Sequence, residues 1–324
     1  ADPQSGAQTP IGASVAGALR EAGADLAAAA AVGGSEGTGA VQVSQERAAA
    51  SDAIPYDGSG ALALNAVRQN LIRQEDSIIF ALIERSQYKL DASVYSAGAL
   101  GEQSLLEFTL REQERMFGKI RRYTDPIERA FFPEGLPPPI LPPLHYPEVL
   151  HPAGKAINLN AEIMSLYLCS LLPKICEPGD DSNYGSAAMH DVAVLQALSK
   201  RIHFGLFVAE SKFTAETEVY TELIRNGDAE GIMAKLTNEA VEQRVLQRVE
   251  KKAAIYGQDL SAIAEAAAGS EDSHEGPTQS SYKVQPGEIA QLYETWIMPL
   301  TKQVQVAYLL RRLDAWDRVD GAAK

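Results

Sequence analysis

The sequence predicts an all-α protein: a single large helical domain built on a long central helix and preceded by a disordered N-terminal arm. Three observations carry this. Apolar residues recur at three- and four-residue intervals through most of residues 62 to 313, the spacing of helices buried along one side. No segment alternates apolar and polar residues as a half-buried strand would. The 25 glycines and 17 prolines gather in a few stretches and leave the periodic segments between them intact. The expected organisation is a low-complexity arm over 1–60, a helical domain over 61–315 and a tail over 316–324.

The arm is rich in Ala, Gly, Ser and Gln and has no sustained apolar face, so it reads as mostly disordered. Ala1-Asp2-Pro3 stands where a methionine would open the chain, which reads as a processed start or a vector scar. Glu21, Asp25, Glu36 and Glu46 fit a plastid transit peptide poorly; at most the arm is what cleavage leaves. From Leu62, the residues Leu64, Val67, Leu71, Ile78 and Leu82 trace one face of a helix ending near Tyr88, with Arg68 and Arg73 on its flanks. A second helix is expected from Glu102 to Arg122, ending in the basic cluster Lys119, Arg121 and Arg122. The proline-rich stretch Asp125–Pro152, with PPPILPP inside it, reads either as a PxxP ligand or as an extended surface connection, and the second reading is preferred.

Helical spacing resumes over Leu159–Leu172, and an acidic turn through Pro178, Asp180 and Asp181 leads to the central helix, Asn183–Phe213. There Ala188, Val192, Leu195, Leu198 and Ile202 keep the period, with Ser186 as the expected N-cap. Shorter helices follow over 216–225, 228–235 and 238–256, and a second low-complexity loop spans 261–281. Pro286 suits the first turn of the last helical stretch, which Pro299 should kink or restart before it ends near Leu313.

Arg201 and Lys212 are eleven residues apart, close to three helical turns, so both point one way about 16 Å apart along the axis. They suit a small anion held between them, or are two solvated surface cations. Asn238 and Glu242, and again Thr301 and Gln305, are each four apart, so each pair presents two polar groups on one helix face. Asn238 also suits a plain N-cap, and Glu242 an exposed helix position.

A net charge of −14 argues against nucleic acid or an anionic membrane as partner, since either would need a basic surface. An anionic ligand would have to be held by specific cations in a sheltered site. With only Cys169 and Cys176, disulfide scaffolding is not expected, which favours a reducing compartment; the two cysteines have no metal spacing and the five histidines form no cluster, so no metal site is expected. No apolar run approaches the ~20 residues that cross a bilayer.

Whole segments then narrow the reading. LIRQEDSIIFALIERSQY at 71–88, SKRIHFGLFVAESKF at 199–213, EGIMAKLTNEAVE at 230–242 and IMPLTKQVQVAYLLRRL at 297–313 closely resemble the all-helical chorismate mutases of fungi and plants. The resemblance runs in order from Leu62 to Leu313. It implies a homodimer that rearranges chorismate to prephenate, on the way to phenylalanine and tyrosine, with no cofactor. By resemblance, Arg68 and Arg201 bind the substrate carboxylates, Lys212 and Gln305 donate to the ether oxygen, Glu242 takes the substrate hydroxyl, and Asn238 and Thr301 support. Fungal members carry glutamate at the position of Gln305. A glutamate must be protonated to donate, whereas an amide donates at any pH.

The resemblance also implies a dimer-interface site for aromatic amino acids, tryptophan activating and tyrosine or phenylalanine inhibiting, formed by Asn183, Gly185 and Ser186 with Arg121 and Arg122. Met189 stands where fungal members have threonine. From the residues themselves, Gly185 and Ser186 offer N–H groups at a helix start, which suits a carboxylate or serves only to begin the helix. Asp180 and Asp181 suit an α-amino group. A catalytically silent helical adaptor, or an amino-acid-binding regulatory protein, is the competing class. It is disfavoured because each polar position of the family site is matched or replaced by a chemically sensible residue. The regulated site and long arm point to the plastid form, in the chloroplast stroma, with a cytoplasmic form as the alternative.

Overall fold

In a computed structural model the described residues are 64–98, 100–143, 149–259 and 282–314. They fall in one compact unit, Gly58–Lys324, and form eleven α-helices and no strand among them, with only isolated β-bridges such as Leu90 with Pro178. The expectations for the arm over 1–60, the loop over 261–281 and the tail over 316–324 lie outside the described residues.

The long helix α1, Leu64–Arg85, buries Ile78, Ile79 and Leu82 against the central helix. Ser104 caps α2, Leu105–Lys119, by accepting from Glu107 N at 3.1 Å, so this helix begins three residues later than its periodicity suggests. The proline-rich connection is tied to its end: Ile140 N donates to Lys119 O at 2.9 Å and Arg121 donates to Pro142 O. That agrees with an extended surface connection. Helices α3, Asn160–Leu166, and α4, Leu172–Ile175, are joined by a π turn at Tyr167–Leu171.

The central helix is α5, Tyr184–His203, and it runs on after the single residue Phe204 as α6, Gly205–Ala215. Its start corrects the expected Ser186 cap: Asn183 holds the N-cap position, without a side-chain capping bond. The reason is local. Asp180 accepts from Ser182 N at 2.7 Å and Asp181 from Asn183 N at 3.0 Å, so two Asx turns deliver the chain into helical geometry before Ser186 is reached. By length and composition Tyr184–Ala215 is apolar enough to cross a bilayer, contrary to the expectation from uninterrupted runs. Most of it is buried instead, because α1, α2 and the last helix pack against it.

Helices α7, Thr217–Arg225, α8, Ala229–Leu236, and α9, Glu239–Tyr256, follow the expected order. The last stretch is α10, Pro286–Leu292, a π turn at Tyr293–Ile297, and α11, Met298–Leu310. The α-helix thus stops at Leu292 and resumes at Met298, which places Pro299 in the first turn of the restarted helix, as expected. Proline lacks an N–H and its ring clashes with the carbonyl four residues back; a π turn just before it removes that conflict. Pro173 follows the other π turn at the same two-residue offset. Helix α11 packs along α6, and Tyr308 fixes the contact by donating to Glu210 at 2.6 Å and accepting from His151 N at 2.8 Å.

Two buried titratable groups brace α5. Near its start Asp191 pairs with Arg85, both sheltered from water, and accepts from Tyr167 at 2.5 Å and from the half-buried Tyr95 at 2.8 Å. At its end His203 Nε2 accepts from Leu159 N at 2.9 Å while Nδ1 donates to Ser199 O at 2.8 Å. This pairing needs the neutral ring, and burial pushes the His203 pKa down to about 4 from an ordinary 6.5. In the unfolded chain the ring takes its proton first, so its stabilising effect is complete above pH 6.5 and is lost as pH falls toward 4. Urea unfolding should show His203 accounting for about 3 kcal/mol of the acid-side loss. In His203→Gln the slope between pH 6.5 and 4 should flatten by that amount, and an unchanged slope would contradict it.

Candidate functional site

The site is built where the end of α5 meets α11. Arg201, in the last turn of α5, is 5% exposed, and its Nη1 donates to Thr301 Oγ1 at 3.3 Å. Thr301 Oγ1 in turn donates a hydrogen bond to Ile297 O at 2.5 Å, at the end of the preceding π turn. One turn forward, Gln305 Nε2 donates to Thr301 O at 3.2 Å. Burial holds the Arg201 pKa below the usual arginine range, with Tyr293 and Glu75 working the other way. Arg201 Nε, Gln305 Oε1 and the Tyr293 hydroxyl are buried without hydrogen-bond partners among the described residues. A buried polar atom left unpaired costs on the order of 1–3 kcal/mol, so this region is poised for a polar ligand.

Lys212, on α6, donates to Leu236 O at 2.7 Å at the end of α8. Its pKa is lowered by burial, while the nearby Glu242 favours its charge. Glu242, in the first turn of α9, receives Lys302 Nζ at 3.2 and 3.3 Å. Asn238 is the N-cap of α9, its side chain accepting from Val241 N at 3.1 Å, so the plain capping reading holds for that side chain. Arg68 is exposed on α1, with no hydrogen bond or ion pair among the described residues. Its neighbour Val67 is buried against Phe204 and Phe207, which sets this end of α1 on the α5–α6 junction.

Five residues beside the site lay outside the sequence expectations. Glu75 on α1 is 1% exposed and receives Arg248 at 2.6 and 2.8 Å and Lys252 at 3.2 Å. Lys302 neutralises Glu242, and Tyr293 lies close enough to Arg201 to favour its charge. No periodicity links Glu75 with Arg248 or Glu242 with Lys302, since each pair joins distant helices. The available signal was weaker: Lys302 adjoins Thr301, and Glu75 falls at helical spacing on the same face as Leu71, Ile78 and Leu82, where an unpaired acid would be costly.

At the other end of α5, Asn183, Gly185 and Ser186 form the N-cap and first turn. Because Asn183 leaves the helix uncapped by its side chain and donates to Asp181 O at 3.1 Å, the first-turn N–H groups remain available as donors. Asp180 and Asp181 are engaged within their own loop, with Tyr184 and Lys89 N as further donors at 2.9 Å each. Arg121 has a left-handed backbone, φ 69°, and Arg122 pairs with Glu128 at 3.3 Å. Neither arginine bonds to residues 183–186 among the described residues. Among those residues, no group of three or more His, Cys, Asp or Glu could hold a metal ion.

With this geometry in hand, comparison with known proteins is specific. A family model described as chorismate mutase type II matches residues 183–306. A relative from Arabidopsis thaliana, chorismate mutase 3, chloroplastic, is 48% identical over 265 residues, covering 81% of this chain and 81% of that protein. The crystal structure of Aro7p chorismate mutase from Candida albicans in complex with L-Trp superposes with a TM-score of 0.71 at 42% identity, covering 80% of this chain and 95% of that one. AtCM1 with tyrosine bound in its allosteric site gives 0.70 at 44% identity, covering 80% and 99%.

Proposed function

Because this chain belongs to the chorismate mutase family, we propose that Arg201 and Arg68 grip the two carboxylates of chorismate while Lys212 and Gln305 donate to its ether oxygen. The reaction is the rearrangement of chorismate to prephenate: the ether C–O bond breaks as a C–C bond forms in one cyclic transition state, with no net proton transfer. The enzyme has two tasks, holding a flexible dianion in its compact conformer and stabilising the negative charge that grows on the departing oxygen. The observation that carries the assignment is the buried meeting of Arg201, Thr301 and Gln305, with Lys212 farther along the same helical stretch.

Donor capacity supports it. Arg201 has five N–H donors and uses one on Thr301, leaving a fork suited to a carboxylate. Lys212 has three and uses one on Leu236 O, and Gln305 Nε2 has two and uses one on Thr301 O. Each keeps a donor for the ether oxygen without breaking its orienting bond. Glu242, held by Lys302, accepts from the substrate hydroxyl, with Asn238 and Thr301 as further polar contacts. The catalytic domain is assigned to 61–315 and the compartment to the plastid, in keeping with the chloroplastic relative.

A homodimer is part of the proposal. The stacked Phe80 and Tyr256, 50% and 38% exposed, give α1 and α9 an apolar patch that a second copy would cover. Regulation is proposed at the start of α5, where the N–H groups of Gly185 and Ser186 suit an amino-acid carboxylate, with Asn183, Arg121 and Arg122 completing the site. Tryptophan and tyrosine are the first candidates, as ligands of the related structures, with phenylalanine a third.

Purified protein should consume chorismate and yield prephenate in a spectrophotometric assay, elute at the mass of a dimer, and change rate on addition of tryptophan or tyrosine. Absence of turnover would remove the catalytic assignment. A monomeric mass would remove the dimer, and a rate indifferent to both amino acids the regulatory site. Since Gln305 donates without titrating, turnover should stay within about twofold from pH 6 to 8. Gln305→Glu should instead lose activity steeply as pH rises, because its carboxyl must keep a proton to donate. A steep loss in the wild type over that range would contradict the role of the amide.

A further inference from the structure

The first residue of α6 is Gly205, and its φ lies outside the left-handed region that calls for glycine. Backbone conformation does not require glycine here, and glycine inside a helix costs roughly 0.5–1 kcal/mol relative to alanine. Space requires it. A β-carbon on Gly205 would stand 2.8 Å from the carbonyl oxygen of Thr301, 3.2 Å from Thr301 Cγ2 and 3.4 Å from Val304 Cγ1. The nearest of these is backbone, which cannot swing aside as a side chain can; relief needs α11 itself to move.

That carbonyl already has work in the site. It accepts from Gln305 Nε2 at 3.2 Å, and the hydroxyl of the same threonine accepts from Arg201 Nη1 at 3.3 Å. The close approach therefore lies between the stretch carrying Arg201 and Lys212 and the helix carrying Thr301 and Gln305. We propose that Gly205 is a positioning residue for the rearrangement: its bare backbone sets how closely α11 approaches the α5–α6 junction, and so the distance at which Gln305 faces the reacting oxygen. The proposal rests on the assignment of Gln305 above.

Ordinary van der Waals contact begins near 3.4 Å, so a methyl group on Gly205 displaces Thr301 O by about half an ångström. Misplacement by about 1 Å can cost 100-fold in rate, and roughly 10-fold is expected here. Arg201 lies on α5 and stays in place, so the loss should fall on kcat rather than KM.

The test is a double-mutant cycle, with kcat and KM measured for wild type, Gly205→Ala, Gln305→Ala and the double variant, and folding checked by circular dichroism. Gly205→Ala should lower kcat about 10-fold or more with KM changed less than about threefold, and the double variant should match Gln305→Ala alone, since both act through one group. A kcat within twofold of wild type in Gly205→Ala, or a loss repeated in full on top of Gln305→Ala, overturns the proposal. Normal turnover in Gln305→Ala removes the role of Gln305 and the route through it, whereas a loss there with Gly205→Ala unaffected removes Gly205 alone. If Gly205→Ala does not fold, Val304→Ile, which adds a methyl group to the α11 side of the same contact, takes its place in the cycle with the same outcomes.

Discussion

The structure depends on keeping the guanidinium of Arg201 charged inside a protein core. Burial works against that charge, and among the described residues no carboxylate pairs with it directly. Thr301 meets one of its donors, Tyr293 and Glu75 favour its charge from farther off, and Glu75 is itself committed to Arg248 and Lys252. The free enzyme thus tolerates an under-solvated cation, which a substrate carboxylate would relieve. In a chain of net charge −14 an anionic ligand would have to be drawn by local cations such as this one, because the protein's overall field opposes its approach.

The same helix shows the contrast at its other end. Arg85 and Asp191 are equally sheltered, but two tyrosine hydroxyls complete the carboxylate, and the carbonyl of Tyr88 at 2.7 Å and the Tyr95 oxygen take up the guanidinium. That cluster has nothing left to offer a ligand. Removing one partner would strand a buried charge at a cost of about 3–5 kcal/mol, so its work is to hold the helices together. Burial alone does not separate a structural charge from a functional one; the number of partners still missing does.

Much of this was legible in the sequence. Helical period carried the order of the helices, and it put Arg201 and Lys212 on one helical stretch, even though that stretch is interrupted at Phe204. The interruption keeps αR backbone angles, so the stretch remains nearly one rod. Expectations failed where local rules compete. Ser186 is a good capping residue, yet the Asx turns of Asp180 and Asp181 start the helix sooner. Ion pairs joining distant helices, Glu75 with Arg248 and Glu242 with Lys302, have no local signature, and neither has the space that Gly205 leaves for a neighbouring backbone.

If developing charge on the ether oxygen is what this site stabilises, the cation aimed at that oxygen must matter more to turnover than to binding. The most direct measurement is kcat for chorismate in Lys212→Ala, with circular dichroism confirming that the helices persist. A fall on the order of 100-fold or more is predicted, the scale of losing one preorganised donor to a transition-state oxyanion. A folded variant with kcat within a few-fold of wild type would contradict it.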